Sequence, residues 1–429
     1  MSGRAVRVGL LGCGHVGSAT ARILHDHAEE IERRVGARIE VTRVAVRNLA
    51  RERDVPISPD RFTNDPHSIV ADPDVDVVVE VIGGIEPART LILEAFAAKK
   101  HVVTANKELL STLGRELFDA ADAANVDLYF EASVGGGIPL IHPLKESLAG
   151  ERVRKVIGIV NGTTNYILTR MTEEAMSFSE AVAQAQGLGY AERDPSADVE
   201  GYDAAAKLSI LASIAFNARV VAGDVYREGI TEVSAQDIEF ADRLGYVVKL
   251  LAIAELEDGE IAARVHPAMI PKEHPLAAVR DSFNAVFVEG ENVGELMFYG
   301  RGAGGAPTGT AVAGDVVDVA RNLINGGRGV GCTCYDERRV RSMDEMHSQY
   351  YLLLEVADRP GVLAAVAGAF ANNLVSIKSV WQEGTGEEAL LVIITHRGNE
   401  AAFQQTIHDL RELEAVAAVR SVMRVEGVE

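Results

Sequence analysis

Cysteine is nearly missing: there are three in 429 residues, Cys13, Cys332 and Cys334. So sparse and odd a set excludes a disulfide-stapled scaffold and fits a reducing compartment, so a cytoplasmic location is expected. No second cysteine pair or histidine cluster accompanies Cys332-Thr333-Cys334, and no metal is expected there. Basic charge is also scarce, with 42 Lys and Arg against 63 Asp and Glu, a net charge of −21. Such a surface repels polyanions, which argues against nucleic-acid and membrane partners. No apolar run reaches the roughly 18 residues that a membrane-spanning helix needs, and no basic-then-apolar leader opens the chain. What is present is a 47% hydrophobic content, enough for sizeable cores, in a length that suggests two or three domains.

The apolar run 6–11 ends in Gly12-Cys13-Gly14-His15-Val16-Gly17, and a helical pattern follows to about Arg34. Strand, glycine turn and helix form the context that a dinucleotide fingerprint requires. Gly12 permits the tight turn, Gly14 lets the main chain approach a pyrophosphate, and Gly17 lets helix and strand pack closely. The N–H groups of the helix start, around His15 and Val16, then face the anion. A second strand, 39–46, ends at Arg47. An acid there favours the free ribose hydroxyl of NAD, whereas an arginine can pair with the 2′-phosphate of NADP. NADP is thus preferred, with NAD also usable, unless Arg47 is only a surface residue. Strands are expected at 75–82, 101–104 and 127–130, with a helix at 88–98. Thr104, Asn106 and Lys107 follow one of these strand ends, where open α/β sheets bind ligands. Glu131 and the glycines 135–137 then read as a flexible crossover.

Strand 153–160 turns through Asn161-Gly162-Thr163-Thr164 into a helix whose start can bind a carboxylate or merely be capped. After a helix near 179–186 comes the stretch from Glu192 to Lys207, a polar turn fixed by Pro195 that opens an apolar helix. Asp203 and Lys207, four apart, share one face of it. They make either an exposed ion pair worth about 0.3–0.5 kcal/mol or, with Glu192 and Asp198, a site for a charged small molecule. Strands at 246–254, 261–269 and 284–288 join 153–160 in a sheet that carries these helices and an oligomer interface. A glycine-rich crossover, 300–308, precedes an apolar helix at 310–323 that packs back on the nucleotide domain.

Glu192, Asp194-Pro195, Asp198, Gly201, Asp203 and Lys207, with Ala185 and Gly189 upstream, resemble the signature segment of homoserine dehydrogenase. The resemblance implies NAD(P)-dependent interconversion of L-homoserine and L-aspartate 4-semialdehyde, in the biosynthesis of threonine, methionine and isoleucine. It makes Lys207 the acid/base, Asp203 its positioning partner, and Lys107 a second functional lysine between nicotinamide and substrate. Glu192 and Asp198 suit the substrate ammonium. Gly304 lies near the cofactor, as do Thr104 and the fingerprint residues. Glu131, Val134, Gly136 and Ile138 match positions that hold a monovalent cation such as sodium, largely through main-chain oxygens. Arg193 departs from the usual small residue and affects only local geometry.

From Tyr350 the pattern becomes βαββαβ, with strands at 350–356, 374–382, 388–396 and 416–425 and helices at 362–371 and 400–413. Asp358-Arg359-Pro360-Gly361-Val362-Leu363 and Asn372-Asn373-Leu374-Val375-Ser376-Ile377 resemble an ACT domain. That implies either amino-acid feedback, threonine being the effector the family suggests, or a dimerisation module. A homodimer or homotetramer is expected. The expected fold class is α/β: a Rossmann-type nucleotide-binding domain at 1–132, completed by about 305–323, an α+β catalytic and dimerisation domain at 133–304, a linker at 324–348 and the ACT domain at 349–429. Two other readings stay open: a different amino-acid or semialdehyde dehydrogenase, since this fold hosts many chemistries, and a ligand-sensing regulator without turnover.

Overall fold

The computed structural model describes residues 5–384 and 389–427. The chain divides into two compact units, one formed by Met1–Val156, Ala206–Asp224 and Asn284–Arg338, the other by Ile157–Ala205, Val225–Phe283 and Arg339–Glu429.

In the first unit, β1 (Val6–Leu11), β2 (Ile39–Ala45), β3 (Phe62–Thr63), β4 (Val77–Glu80), β5 (His101–Thr104) and β6 (Leu128–Tyr129) form one sheet in the order β3-β2-β1-β4-β5-β6. Every pairing is parallel. The central strands β4 and β5 are buried throughout, which is why they read as unbroken apolar runs rather than alternating ones. Helix Gly305–Asn325 closes on this sheet: Val312, Val316 and Val319 share a core with Val8, Leu10, Val77 and Val103. The long helix expected after the fingerprint is two, His15–Asp26 and Ala28–Val35, broken at His27. Strand Phe283–Gly290 lies between Val153–Ile159 and a further strand, Gly294–Arg301. The pattern there alternates exposed and half-buried residues and lacked the apolar contrast that marks a strand.

In the second unit, strands Tyr246–Glu257 and Glu260–Pro271 form a long antiparallel hairpin. Its two-residue turn is Asp258-Gly259, both with positive φ (53° and 83°), the pairing that a primed hairpin turn demands. The tail forms strand His347–Val356, helix Val362–Asn372, strands Ile377–Glu383 and Ala389–Thr395, helix Glu400–Arg411 and strand Val416–Val425, as the βαββαβ reading expected. Glu388, placed at a strand start by the sequence, lies outside the described residues. The second tail strand starts at Ile377 rather than Leu374, because Leu374 has φ +59° and is 93% exposed, so it ends the preceding turn. Val416–Val425 pairs antiparallel with His347–Val356 and, at its end, parallel with the hairpin (Ala268 with Arg424, Met269 with Val425). Among the described residues no helix is long and apolar enough to cross a membrane.

Candidate active site

The glycine turn is built as its spacing predicts. Gly12 has φ +102°, and a Cβ there would lie 2.8 Å from the Val81 carbonyl oxygen; a Cβ on Gly17 would lie 2.3 Å from the Gly12 carbonyl oxygen. Around a Cβ on Gly14 there is nothing within 4 Å. The outer two glycines therefore serve packing, and the middle one leaves open the space that a pyrophosphate needs, at the first turn of helix His15–Asp26. Two cavities meet this turn. One, of about 370 Å³, is lined by Gly12, Gly14, Arg47, Arg51 and Arg53; the other, of about 480 Å³, by Gly14, His15, Arg22, Gly305 and Ala306. Arg51 and Arg53 were missed from sequence, although the run Arg47-Asn48-Leu49-Ala50-Arg51-Glu52-Arg53 carries three cations just past a strand end. Gly304 (φ +126°) is the residue before helix Gly305–Asn325, and a Cβ on Gly305 would lie 3.1 Å from the His15 carbonyl oxygen. Open space at Gly14, a helix N-terminus and a cationic rim fit a dinucleotide.

At the end of β5, Thr104 is fully buried, and its hydroxyl donates to Glu80 Oε2 (2.6 Å) and accepts from the Asn106 N–H (3.1 Å). What this strand end offers a ligand is therefore main chain rather than that hydroxyl. Asn106 caps helix Lys107–Ala124 by accepting from the Leu109 N–H (3.1 Å), while its Nδ2 donates to the Gly84 carbonyl (2.6 Å). Lys107, half-buried, is the first residue of that helix. Cap and tether thus fix where its stem starts.

The Glu131 carboxylate is already engaged: it accepts from the N–H groups of Leu140 (2.5 Å), Ile141 (2.9 Å) and His142 (2.8 Å). That leaves main-chain oxygens as the chief ligands on offer to a cation there. Successive left-handed glycines, Gly135 (φ +73°) and Gly136 (φ +56°), turn the backbone between Val134 and Ile138, and such neutral hard oxygens suit an alkali cation. Among the described residues no cluster of His, Cys, Asp and Glu could hold a metal. Below Glu131, His142 Nε2 meets Asp315 Oδ1 at 2.8 Å, a pair that sequence did not reveal, since 173 residues separate its members. Burial opposes the charged His142 ring, but the hydrogen bond with Asp315 and the charges of Asp315, Glu131 and Asp318 outweigh it and push its pKa up to about 9. Burial raises Asp315 to about 6, against the pull of His142.

In the second unit, Asn161 organises the acids. Its Oδ1 accepts from the Thr164 N–H (2.8 Å), capping helix Gly162–Glu174. Its Nδ2 donates to Asp198 Oδ1 (2.7 Å) and to Asp203 Oδ2 (2.8 Å). Of the two open readings of that helix start, the structure shows a capped helix whose cap also holds two carboxylates together. Gly201 (φ +79°), hemmed in by Arg227, Val265 and the Glu228 carbonyl, makes the turn between them. Asp203 is 7% and Lys207 9% exposed, both on helix Tyr202–Ala215. The exposed i,i+4 ion pair is thereby ruled out, since both groups are buried. Glu192 is exposed, and Asp198 half-buried.

Three family models match in chain order: "Homoserine dehydrogenase, NAD binding domain" over residues 12–131, "Homoserine dehydrogenase" over 139–317, and "ACT domain" over 350–415. The homoserine dehydrogenase of Mycobacterium tuberculosis (strain ATCC 25618 / H37Rv) is 51% identical, covering 99% of this chain and 98% of that one. The crystal structure of a homoserine dehydrogenase from Thiobacillus denitrificans superposes with a TM-score of 0.94 at 41% identity, over 99% of this chain and 98% of that one. A hyperthermophilic archaeal homoserine dehydrogenase in complex with NADPH matches 77% of this chain and all of its own length, with a TM-score of 0.64 at 26% identity. With a Rossmann-ordered sheet, a glycine cradle, a buried acid and a buried lysine on one helix and a βαββαβ tail already in place, these matches settle the family: the chain is a member of the homoserine dehydrogenases, NAD(P)-binding oxidoreductases, and carries an ACT domain at its C-terminal side.

Proposed function

We propose that the chain interconverts L-homoserine and L-aspartate 4-semialdehyde with Lys207 as the acid/base, in the biosynthesis of threonine, methionine and isoleucine in the cytoplasm. The observation that carries this reading is the Asn161 amide bound to both Asp198 and Asp203 at the mouth of the helix that bears Lys207. Nicotinamide, when bound, accepts or delivers the hydride at C4 of the substrate. The chain has to deal with the proton on the neighbouring oxygen. In the reductive direction the Lys207 ammonium donates to the nascent alkoxide; in the oxidative direction its amine takes the hydroxyl proton back. Asp203 positions Lys207 and balances its charge. Asp198 and the exposed Glu192 attract the substrate ammonium, and Lys107 orients the reacting end of the substrate.

Arg47, joined by Arg51 and Arg53 around one cavity, supports a preference for NADP over NAD, in keeping with the NADPH held by the archaeal relative. Gly12, Gly14, His15, Val16 and Gly17 cradle the pyrophosphate, with Gly304 and the main chain at Thr104 beside it. The main-chain oxygens of Glu131, Val134, Gly136 and Ile138 hold a sodium ion. The chain works as a homodimer or homotetramer, divided into domains at 132/133, 304/305 and 348/349, and threonine acting at the ACT domain lowers turnover. The test follows nicotinamide absorbance with L-homoserine and NADP or NAD, with and without threonine. Homoserine-dependent reduction that collapses in Lys207→Ala, by about 10² or more in kcat, is expected. Folded protein that reduces neither cofactor would refute the reading, and turnover indifferent to threonine would remove only the feedback.

A further inference from the structure

Two thiols stand apart from every residue used above. Cys332 and Cys334 are half-buried and unbridged, and they border a cavity of about 180 Å³ walled on its apolar side by Phe118 and Phe130. The Cys334 N–H donates to Cys332 Sγ (3.4 Å), which turns the Cys332 side chain back toward its neighbour. Cys334 Sγ also donates to the Ser213 carbonyl (3.6 Å). Lys145 borders the same cavity; it donates to the Val330 carbonyl (2.9 Å) and lies over the Phe130 ring. Cationic Arg219 and anionic Asp119 and Glu337 complete a rim of mixed sign.

We propose that Cys332 and Cys334 form a thiol–disulfide exchange site that takes small zwitterionic disulfides of amino-acid type. A dithiol two residues apart, turned together by that N–H contact and opening on a cavity with an amine beside it, has what such exchange needs: an attacking sulfur, a resolving sulfur and a route in. Cys332 Sγ accepts the Cys334 N–H, a contact that favours its thiolate. Cys334 instead spends its proton on the Ser213 carbonyl, which favours its thiol form. Cys332 is therefore the attacking sulfur and Cys334 the resolving one.

The chemistry balances with the small disulfide as oxidant. The Cys332 thiolate attacks one sulfur of the disulfide, its S–S bond breaks, and the first thiol leaves, taking a proton. Cys334, giving up its proton, then attacks Cys332 Sγ and expels the second thiol. The chain loses two electrons and two hydrogens, and one disulfide becomes two thiols. Closing the bridge takes Cys334 off the Ser213 carbonyl of helix Tyr202–Ala215, the helix that bears Lys207.

The test treats the full chain with cystine, blocks remaining thiols with iodoacetamide and maps the peptides by mass spectrometry, with Cys13 as the internal comparison. Wild type is expected to lose two hydrogens within the Cys332–Cys334 peptide, at least tenfold faster than Cys13 acquires half-cystine. Cys334→Ser is expected to stop at a half-cystine adduct on Cys332, and Lys145→Met to slow the first step about tenfold, with unchanged circular dichroism in both. Equal rates at Cys332 and Cys13, or a Cys334→Ser variant that carries no adduct, would overturn the proposal.

Discussion

Asn161 does three things with one amide, and they can be separated. Asn161→Ala removes a helix cap, worth about 1 kcal/mol, and leaves the buried Asp203 without this donor, at roughly 1–2 kcal/mol more. Urea unfolding is expected to show a loss of about 2–3 kcal/mol. Asn161→Ser restores the cap but is too short to reach Asp198 and Asp203 together, so it should recover only about 1 kcal/mol and leave kcat/KM depressed at least tenfold. A serine variant with wild-type activity would show that the bridge between the acids is not needed. The His142–Asp315 pair sets a pH dependence of defined sign. Both groups bind their proton more tightly in the folded chain than in the unfolded one. Stability from His142 is full below its unfolded value near 6.5 and drains as pH climbs through about 9, on the order of 3 kcal/mol in all. Asp315 acts in the same direction lower down, between 3.8 and about 6. Urea midpoints should therefore fall from pH 6.5 to pH 9.5, and His142→Gln should flatten that fall.

Among the elements, the glycine turn gives the cleanest contrast between packing and binding. Gly17→Ala places a methyl against a main-chain oxygen that cannot move aside, so loss of soluble folded protein, or a drop of several kcal/mol, is expected. Gly14→Ala meets no protein atom; its melting temperature should stay near wild type while the Kd for NADPH, read by fluorescence titration, rises at least tenfold, about 1.4 kcal/mol. The geometry of the turn was legible in the sequence, because strand, turn and helix are local and their spacing is a physical constraint. The βαββαβ tail was legible for the same reason. The edge strand Gly294–Arg301 was not, since a strand with little burial carries no periodic signal, nor was the division of the first helix at His27. At the site, Asp203 and Lys207 could be placed on one helix face from spacing. The amide that gathers Asp203 and Asp198 could not be found that way, because 37 and 42 residues separate Asn161 from them.

Across the whole molecule, net charge concealed where charge matters. A chain with 63 acids against 42 bases reads as an acidic surface, yet its second unit encloses a network of ions. Arg424, 4% exposed at its side chain, pairs with Glu400 (2.8 Å) and Glu228 (2.9 Å). Arg264 pairs with Glu255 (2.7 Å) and Glu426 (3.0 Å). Removing one partner of a buried pair leaves an uncompensated charge. Glu400→Ala should cost about 3–5 kcal/mol in thermal or urea unfolding, and pairing it with Arg424→Met should return a large part of that loss. If the double variant is no better than the single one, the pair is not the source of the cost.

The Arg264–Glu426 contact joins residues 162 apart, and this gives the unit a timetable as well as a shape. At roughly 5–20 residues per second on the ribosome, Arg264 is made about ten to thirty seconds before Glu426, the second of its two carboxylate partners. Throughout that interval Arg264 has Glu255, from its own hairpin, but not Glu426, and a cation only half matched on a strand destined for burial favours staying hydrated. The ion network of the second unit is therefore complete only once its final strand can slot in alongside Ala268 and Met269 and bring Glu426 to Arg264.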